Sequence, residues 1–451
     1  MIHKFEFDDT KLVLDVHSGA LHQVDDLTWE VLDECQQHSR EEIINRYSAR
    51  YKPEEVEAVL DEIYQLIEQG LLFSADPFEN GYNPQPSVVK ALCLHIAHDC
   101  NLRCRYCFAG QGPFGGDRSL MSFEIGRAAI DFLLKQSAGR KHVEVDFFGG
   151  EPLLNFSVVK QLVEYGREKA AAAGKVIKFT LTTNAVLLDE KVEQYLLDNN
   201  ISVVLSLDGR QKVHDKMRPT PRGSGSYQRV LKNIKRIVSK NPPGGYYVRG
   251  TYTRHNMDFS QDVLHMVDQG FVEVSVEPVI AAPEDDFALR MEDVARLKEE
   301  YRKLTREILR LKRQGREINF FHFNIDLQGG PCLAKRLSGC GAGHEYMAVT
   351  PDGYLYPCHQ FVGRPEFQIG HVSEENLNRN IMQKFKSAHI YNKEGCAQCW
   401  AKYHCSGGCH ANAHLFNNDI LVPHQLGCEL AKIRLECALY LQAKWHELDG
   451  Q

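Results

Sequence analysis

The order of apolar and polar positions divides the chain into segments of different periodicity. Between residues 91 and about 310, short apolar runs such as ALCLHIA and ISVVLSL alternate with amphipathic runs such as SFEIGRAAIDFLLKQ. Short apolar runs predict buried strands, and apolar residues three and four positions apart predict helices. Six such repeats predict a parallel sheet, and their length favours a partial (β/α)6 barrel of the TIM type over a doubly wound sheet. The predicted class is therefore α/β.

The first 75 residues follow another pattern. Three alternating runs, FEFDD, KLVLDVHSG and ALHQVDD, predict short strands, and three amphipathic helical runs follow them. Thr28, Ser39 and Pro53 are helix start signals, and Gly70 is a stop signal. Three strands followed by three helices indicate a winged-helix-like domain, and the polar run NGYNPQPS indicates a linker after it.

Residues 332–428 change character again, because helical periodicity fades while Cys, Gly, His and Pro become frequent. This segment has too few apolar residues to close a core unaided, so we expect bound metal to hold it together. The predicted domains are an N-terminal domain 1–80, a linker 81–90, a barrel 91–315 and a Cys-rich domain 316–451 that ends in a helix.

Composition narrows the range of partners. The chain has 451 residues, a formal net charge of -7 and no long basic run. This argues against nucleic acid and acidic membranes as main partners. No run of about 18 apolar residues occurs, and the first residues, MIHKFEFDDT, lack a signal-peptide pattern. We therefore expect a cytoplasmic protein with no membrane partner.

The 14 cysteines are clustered, with three between residues 100 and 107 and eight between 332 and 428. In a reducing compartment such clusters indicate metal sites rather than disulfides. Cys35, Cys93 and Cys437 stand alone in helical or strand-like runs, and we expect them to be buried apolar residues.

Cys100, Cys104 and Cys107 form a C-x3-C-x2-C motif directly after the first predicted barrel strand. Three thiolates on one loop can hold three irons of a [4Fe–4S] cube and leave the fourth iron open to a substrate. A structural zinc site requires four ligands in a closed tetrahedron, so an isolated trio does not suit zinc.

Other polar motifs also follow predicted strands, where barrel sites are built. Gly149, Gly150 and Glu151 come after the second strand; the glycines allow close backbone approach, and Glu151 offers an acceptor for an ammonium group. Further candidates after later strands are Asn184, Ser206, Asp208 and Arg218, the last of which suits a carboxylate.

Taken together, these motifs over roughly 91–310 resemble the radical S-adenosylmethionine (SAM) enzymes. In that family the open iron chelates the methionyl amine and carboxylate of SAM, and an electron from the reduced cluster yields a 5′-deoxyadenosyl radical that abstracts hydrogen. The resemblance makes Cys100, Cys104 and Cys107 the catalytic cluster ligands. It implies that Glu151 and the glycine turn hold the amine.

The remaining SAM contacts come from the same resemblance. It implies Tyr106 at the adenine, Ser206 and Arg218 at the ribose and carboxylate, and Asn184 and Asp208 as further contacts.

The later cysteines, from Cys340 to Cys428, resemble the SPASM extension of that family, which binds two auxiliary clusters. The resemblance implies three [4Fe–4S] clusters in all. It assigns one auxiliary cluster to Cys396, Cys399, Cys405 and Cys428, and the other to Cys340, Cys358 and Cys409. Cys332 either ligates the second cluster or leaves an iron open to a substrate thiolate. A zinc ribbon at 396–409 is the alternative, but it leaves Cys340, Cys358 and Cys428 without roles.

The N-terminal stretch DVHSGALHQVDDLTWEVLDE resembles the PqqD-like peptide-recognition domains. Such a domain has an exposed sheet edge that a leader peptide can extend as an added strand. The implied partner is a ribosomal precursor peptide whose leader binds residues 1–80.

The whole assembly resembles the SCIFF-peptide maturases, which join cysteine sulfur to α-carbons in thioether (sactionine-type) bridges. An electron donor such as flavodoxin or ferredoxin is implied. Sulfatase maturation to formylglycine is an alternative, although that group places an aspartate where His359 follows Cys358 here. A zinc-dependent peptide-binding protein is the alternative from another class.

Overall fold

A computed structural model describes residues 1–79, 81–241, 244–325, 327 and 337–449. The N-terminal part is a three-stranded antiparallel sheet covered by helices. Its strands are β1 (Ile2–Phe7), β2 (Thr10–Asp15) and β3 (Leu21–Val24), in the order β1-β2-β3. Its helices are Asp26–Val31, Arg40–Tyr47 and Pro53–Glu68.

Side-chain caps fix where these helices begin. Ser39 forms a capping box with Glu42, as a start signal should. The first helix is capped instead by Asp25, whose carboxylate accepts from the Thr28 amide at 2.8 Å, so the start predicted at Thr28 is wrong. Asp25 is the N-cap residue because its carboxylate reaches the free amides of the first turn.

The central sheet forms a partial barrel and confirms the predicted α/β class. Seven parallel strands lie side by side in chain order. They are β4 (Ala91–Ala97), β5 (His142–Gly149), β6 (Val176–Thr183), β7 (Ser202–Ser206), β8 (Tyr246–Tyr252), β9 (Glu273–Pro278) and β10 (Asn319–Phe320).

Helices follow the strands and cover the outer face of the sheet. They are Phe123–Gln136, Phe156–Ala172, Glu190–Asp198, Gln211–Met217, Tyr227–Val238, Ser260–Asp268 and Val294–Arg313. Gly166 allows close packing here, because a Cβ at that position would lie 2.9 Å from the Phe179 ring. Parallel order places every strand's carboxyl end at one rim, which is where the polar motifs lie.

The Cys-rich segment continues the same sheet. β11 (Tyr346–Val349) pairs in parallel with β4, and β12 (Tyr354–Tyr356) and β13 (Gly370–His371) add antiparallel strands. Its helices are Arg379–Lys386, Lys402–Cys405, His410–Asn417 and Gln425–Asp449.

This segment has more of an apolar core than expected. Phe361, Phe367 and Phe385 pack together and share a buried cluster with Phe114. Phe114 belongs to the cysteine loop, the loop after β4 that carries Cys100, Cys104 and Cys107. The segment shares this core with the barrel, and the expectation that bound metal also holds the segment together stays a prediction. Its apolar residues complete a core with the barrel, which composition counted on the segment alone does not reveal.

A buried ion pair joins the N-terminal part to the Cys-rich segment. Lys402, with a side chain 1% exposed, places its Nζ 2.7 Å from an Asp76 carboxylate oxygen. Tyr391 and Tyr403 donate hydroxyl hydrogen bonds to the other oxygen, at 2.7 and 3.2 Å. Burial alone would raise the pKa of Asp76, but the Lys402 hydrogen bond and those of its other neighbours lower it to about 2.

Cys35, Cys93 and Cys437 are buried, as predicted for apolar positions. Among the described helices, none has a stretch long and apolar enough to cross a bilayer.

Asp146 is a carboxyl group whose burial in the barrel affects the stability of the fold. It lies on β5 between Cys93 of β4 and Thr180 of β6. Burial, helped by nearby Glu144, raises its pKa from 3.8 to about 6. The folded state therefore holds a proton that the unfolded chain has lost, and the free energy of unfolding falls as pH rises from about 4 through about 6.

We expect Asp146→Asn to be more stable than wild type by about 1 to 2 kcal/mol at about pH 8, and nearly equal to it at about pH 3, where Asp146 is protonated in both the folded and the unfolded chain. Urea unfolding at the two pH values measures the difference. Asp9→Asn, in an exposed turn, is the control. An equal stabilisation by both variants, or none at high pH, would contradict the assignment.

Candidate functional site

The loop after β4 brings Cys100, Cys104 and Cys107 to one cavity of about 500 Å³. The loop is fixed to the chain that follows the helix Gln211–Met217. The Arg103 amide donates to the Pro219 carbonyl at 2.8 Å, and the Arg105 amide donates to the Met217 carbonyl at 2.9 Å. The three thiols therefore have a defined position at the strand ends.

Gly149 and Gly150 let the loop after β5 lie directly against the cysteine loop. The Gly150 amide donates to the Ala97 carbonyl at 2.8 Å, and the Glu151 amide donates to the Asp99 carbonyl at 2.9 Å. A Cβ on either glycine would overlap a carbonyl oxygen of the cysteine loop. Gly149 also has a φ of 123°, in the region that favours glycine. Both glycines line the cavity.

Glu151 lies beneath this turn and is not among the residues that line the cavity. It is fully buried, and its carboxylate accepts from the Thr183 hydroxyl, the Asn184 amide and the Leu153 amide at 2.8 to 3.0 Å. Burial raises its pKa to about 7. These hydrogen bonds let Glu151 position the turn after β6, and the contact with an amine expected from the sequence stays a prediction.

Asn184 lies where Glu151 holds it, at the cavity wall. Its side-chain amide donates to Asn101 Oδ1 at 2.7 Å and lies 3.7 Å from the Cys100 sulfur. An N–H group directed at a ligand sulfur tunes the potential of an iron–sulfur cluster. Ser206, at the end of β7, lines the same cavity.

Tyr106 and Arg218 are held together by Asp208. The Tyr106 hydroxyl donates to one Asp208 oxygen at 2.5 Å, and Arg218 Nε donates to the other at 3.0 Å. The Arg218 guanidinium lies 5.4 Å from the Tyr106 ring centroid. Tyr106 and Arg218 line the cavity, whereas Asp208 is buried behind them. Asp208 therefore positions two cavity residues, and its expected contact with a ligand stays a prediction.

Two thiols of the loop, Cys100 and Cys104, have raised pKa values. Burial, with the charges of neighbouring groups, raises the pKa of Cys100 to about 11 and that of Cys104 to about 12. Metal binding must then displace the protons, which couples metal affinity to pH. No fourth cysteine is among the cavity-lining residues in the described part of the chain. Three thiols on an open cavity fit a cubane cluster with one iron left for a ligand.

The later cysteines form two groups of electrostatic neighbours. Burial raises the pKa of Cys358, and the charges of Cys409 and Cys340 add to the effect. Burial likewise raises the pKa of Cys396 to about 12, with added effects from the remaining members of its group, Cys399, Cys405 and Cys428. The two groups contain the same cysteines as the two expected ligand sets, whose binding of clusters stays a prediction, and Cys332 lies outside the described residues.

A sharp backbone reversal separates the two groups. Ser406, Gly407 and Gly408 all have positive φ, at 57°, 77° and 69°. Three left-handed residues in succession reverse the chain, so Cys405 before them and Cys409 after them join different groups. Among the described residues, no three His, Cys, Asp or Glu side chains lie close enough to hold a single metal ion.

A second cavity of about 560 Å³ lies beside the first and is lined by Cys405, Cys409 and Cys428. The two cavities share a wall, residues 277–280 and Gln360. The loop of Cys100, Cys104 and Cys107 and the later cysteines are thus on two sides of one short segment.

Sequence reasoning missed several residues that line the cavity of the cysteine loop. Arg249 and Thr251 lie on β8 two positions apart and both line the cavity, and Phe148 and Arg364 line it as well. Arg249 donates to Glu277 at 2.5 Å, at the end of β9. Alternation along β8 could have identified Arg249 and Thr251, because residues two apart in a strand share a face. Arg364 had no such signal.

Comparisons with known proteins agree with this geometry. Residues 89–232 match the family described as a 4Fe-4S single cluster domain, and residues 340–400 match SPASM, an iron–sulfur cluster-binding domain.

Three curated relatives are similar to parts of the chain. An uncharacterised protein of Methanocaldococcus jannaschii is 30% identical over 42% of this chain, which spans 62% of that protein's length. The radical SAM cyclopropyl synthase TigE of Paramaledivibacter caminithermalis is 21% identical, covering 76% of this chain and 73% of TigE. The cysteine-type anaerobic sulfatase-maturating enzyme of Clostridium novyi is 23% identical, covering 72% and 89%.

Two solved structures share the fold. The enzyme anSMEcpe with bound AdoMet and a peptide aligns with a TM-score of 0.66 and 20% identity, covering 79% of this chain and 99% of that one. Streptococcus suis SuiB bound to its precursor peptide SuiA aligns with a TM-score of 0.56 and 15% identity, covering 94% and 98%.

The glycine contact with the cysteine loop can be tested directly. Gly150→Ala should push the Asp99 backbone away and displace Cys100, because the added Cβ has no space. We expect less iron per chain than in wild type after anaerobic reconstitution, measured together with acid-labile sulfide. Gly139→Ala is the matched control, since a Cβ there meets no atom within 4 Å. Equal iron in the two variants would show that the contact does not position the thiols.

Proposed function

We propose that this chain, which belongs to the radical SAM/SPASM-domain family, modifies a cysteine-containing ribosomal peptide by joining cysteine sulfur to an α-carbon. The observation that carries the proposal is the shared wall between the two thiol-lined cavities, residues 277–280 and Gln360. A peptide at that wall lies next to the loop of Cys100, Cys104 and Cys107 on one side and the later cysteines on the other.

In this proposal Cys100, Cys104 and Cys107 hold a [4Fe–4S] cluster whose open iron takes SAM, which supplies a 5′-deoxyadenosyl radical when the cluster is reduced. Around it, Gly149 and Gly150 bring their backbone to the cavity surface. The other groups proposed to face SAM are the cavity-lining side chains of Tyr106, Asn184, Ser206 and Arg218.

Glu151 and Asp208 act behind those groups. Both are buried carboxylates whose oxygens are engaged by the residues that line the cavity or by the turn beside it. Fixing donors before the ligand arrives reduces the reorganisation that binding and reaction require.

The two later groups are proposed to hold two auxiliary clusters, giving three in all. Cys396, Cys399, Cys405 and Cys428 are enough to close one cluster. The other has three described thiols, Cys340, Cys358 and Cys409, and its remaining position is proposed to take the substrate thiol. Coordination to a metal ion lowers the pKa of a thiol and fixes the sulfur for bond formation.

The N-terminal sheet is proposed to bind the leader of the precursor peptide. β3 pairs with β2 on one side, and on its other side no described strand is paired with it. An unpaired edge is a template for an added strand. SuiB, which aligns with 94% of this chain, has been solved with its precursor peptide. A cytoplasmic location, which keeps thiols reduced, and a flavodoxin or ferredoxin donor complete the proposal.

Sulfatase-type maturation is the second candidate, because sulfatase-maturating enzymes are among the relatives. The discriminating position is His359, which follows Cys358 and lines the cavity between the rings of Phe148 and Phe108, at 5.0 and 5.4 Å. A sulfatase-type enzyme places a carboxylate there, so an imidazole between two aromatic rings favours the thioether reaction.

Any short cysteine-rich peptide encoded beside this chain would test the proposal. Incubated with the anaerobic, reduced enzyme and SAM, it should lose two hydrogen atoms and one alkylatable thiol per bridge, read by mass spectrometry before and after alkylation. Formylglycine would instead react with an aldehyde probe. SAM cleavage without any change in the peptide would argue against both reactions.

The thiol assignment has its own control. Cys104→Ala should lower SAM cleavage by at least about 10³-fold, because it removes a ligand of the proposed radical cluster. Cys35→Ala, in the N-terminal domain and buried away from both cavities, should leave it unchanged. Release of 5′-deoxyadenosine, separated by liquid chromatography, measures both. Wild-type cleavage by the Cys104 variant would refute the assignment.

A further inference from the structure

Four arginines line the cavity of the cysteine loop, and they differ in whether a carboxylate neutralises them. Arg105 is paired with Asp286 at 2.9 Å, Arg218 with Asp208 at 3.0 Å and Arg249 with Glu277 at 2.5 Å. In the described part of the chain, the side chain of Arg364 has neither an ion pair nor a hydrogen bond. A cation left unneutralised at a cavity wall attracts anionic ligands.

The backbone places Arg364 firmly. Its amide donates to the Phe361 carbonyl at 3.2 Å, and its carbonyl accepts from the Phe367 amide at 3.0 Å. Gly363 before it has a φ of 85°, and a Cβ there would overlap the Phe114 carbonyl of the cysteine loop. The guanidinium thus projects from a fixed turn, although its side chain is unpaired.

Arg364 has apolar companions at the same cavity. Phe108 and Leu415 line it and are 53% and 46% exposed, which is high for side chains of their size. Asp285 also lines the cavity, and no ion pair joins it to Arg364 among the described contacts. A cation on a fixed turn, beside exposed apolar side chains, suits a peptide segment with a carboxylate next to apolar residues.

We propose that Arg364 anchors a carboxylate of the substrate peptide, an acidic side chain close to the residue that is modified. The assignment rests on the proposed function only in taking the ligand to be a peptide. The fork of donors on arginine matches a carboxylate in two parallel hydrogen bonds, and only arginine among cations has this geometry. The residue therefore selects acidic sequences at one side of the reacting cysteine.

The carboxylate of SAM has the same chemistry and is the competing source. By the proposed function it lies with Arg218, close to the cysteine loop, whereas Arg364 belongs to the turn that follows Cys358. The test must therefore follow peptide and SAM separately.

The test uses two fluorescein-labelled peptides, each with a central cysteine that has one leucine on either side. In one peptide a Glu flanks each leucine, and in the other a Gln takes the place of each Glu. Fluorescence anisotropy with the full-length, reconstituted protein should show the Glu peptide binding about tenfold more tightly than the Gln peptide. Arg364→Ala should abolish this ratio, and Arg364→Lys should restore part of it.

Arg105→Ala is the matched control, because it removes a cavity arginine that Asp286 already neutralises, and it should leave the ratio in place. Equilibrium dialysis with labelled SAM should give the same affinity for wild type and Arg364→Ala. An equal ratio in wild type and Arg364→Ala overturns the proposal. So does a tenfold loss of SAM affinity without a change in the ratio, which would assign Arg364 to SAM.

Because peptide binding is measured separately from turnover, the Arg364 anchor and the thioether reaction can be tested independently. A Glu preference that depends on Arg364, in a protein that leaves its peptide unmodified, supports the anchor and refutes the thioether reaction. A peptide modified equally well with Glu or Gln supports the reaction and refutes the anchor.

Discussion

The site depends on the contact between two backbone loops at the rim of the barrel. Gly149 and Gly150 press against the carbonyls of Ala97 and Asp99, and no side chain could occupy either position. This contact sets the distance between the cysteine loop and the end of β5. Everything that faces the cavity, from the three thiols to Asn184, is placed relative to it.

Two buried carboxylates extend this rigidity through the rim. Glu151 ties the glycine turn to the end of β6, and Asp208 ties Tyr106 to Arg218. Buried polar groups of this kind are costly unless they are fully hydrogen-bonded, and here each has several donors. Their burial is why neither lines the cavity, although both stand at positions where a ligand contact was expected.

The second constraint is the pairing of β11 with β4. Because the Cys-rich segment adds its strands to the barrel's own sheet, its cysteines lie across a single wall from the cysteine loop. The left-handed run Ser406 to Gly408 then divides those cysteines into two groups. The Lys402–Asp76 ion pair attaches the N-terminal part to the same segment. The part proposed to bind the leader peptide is therefore in direct contact with the Cys-rich segment.

The sequence by itself determined the strand and helix order and the barrel class, because periodicity is a local property that tertiary contacts did not override. Its cysteine spacing identified the candidate cluster ligands. Tertiary structure alone decided which polar residues reach the cavity. Glu151 and Asp208 carry the same charge and follow strands as the exposed site residues do, yet packing turns them inward. Arg249 and Arg364 come from segments far apart in the chain, and only the folded structure brings both to one cavity, because a cavity depends on distances between segments and not on any one segment.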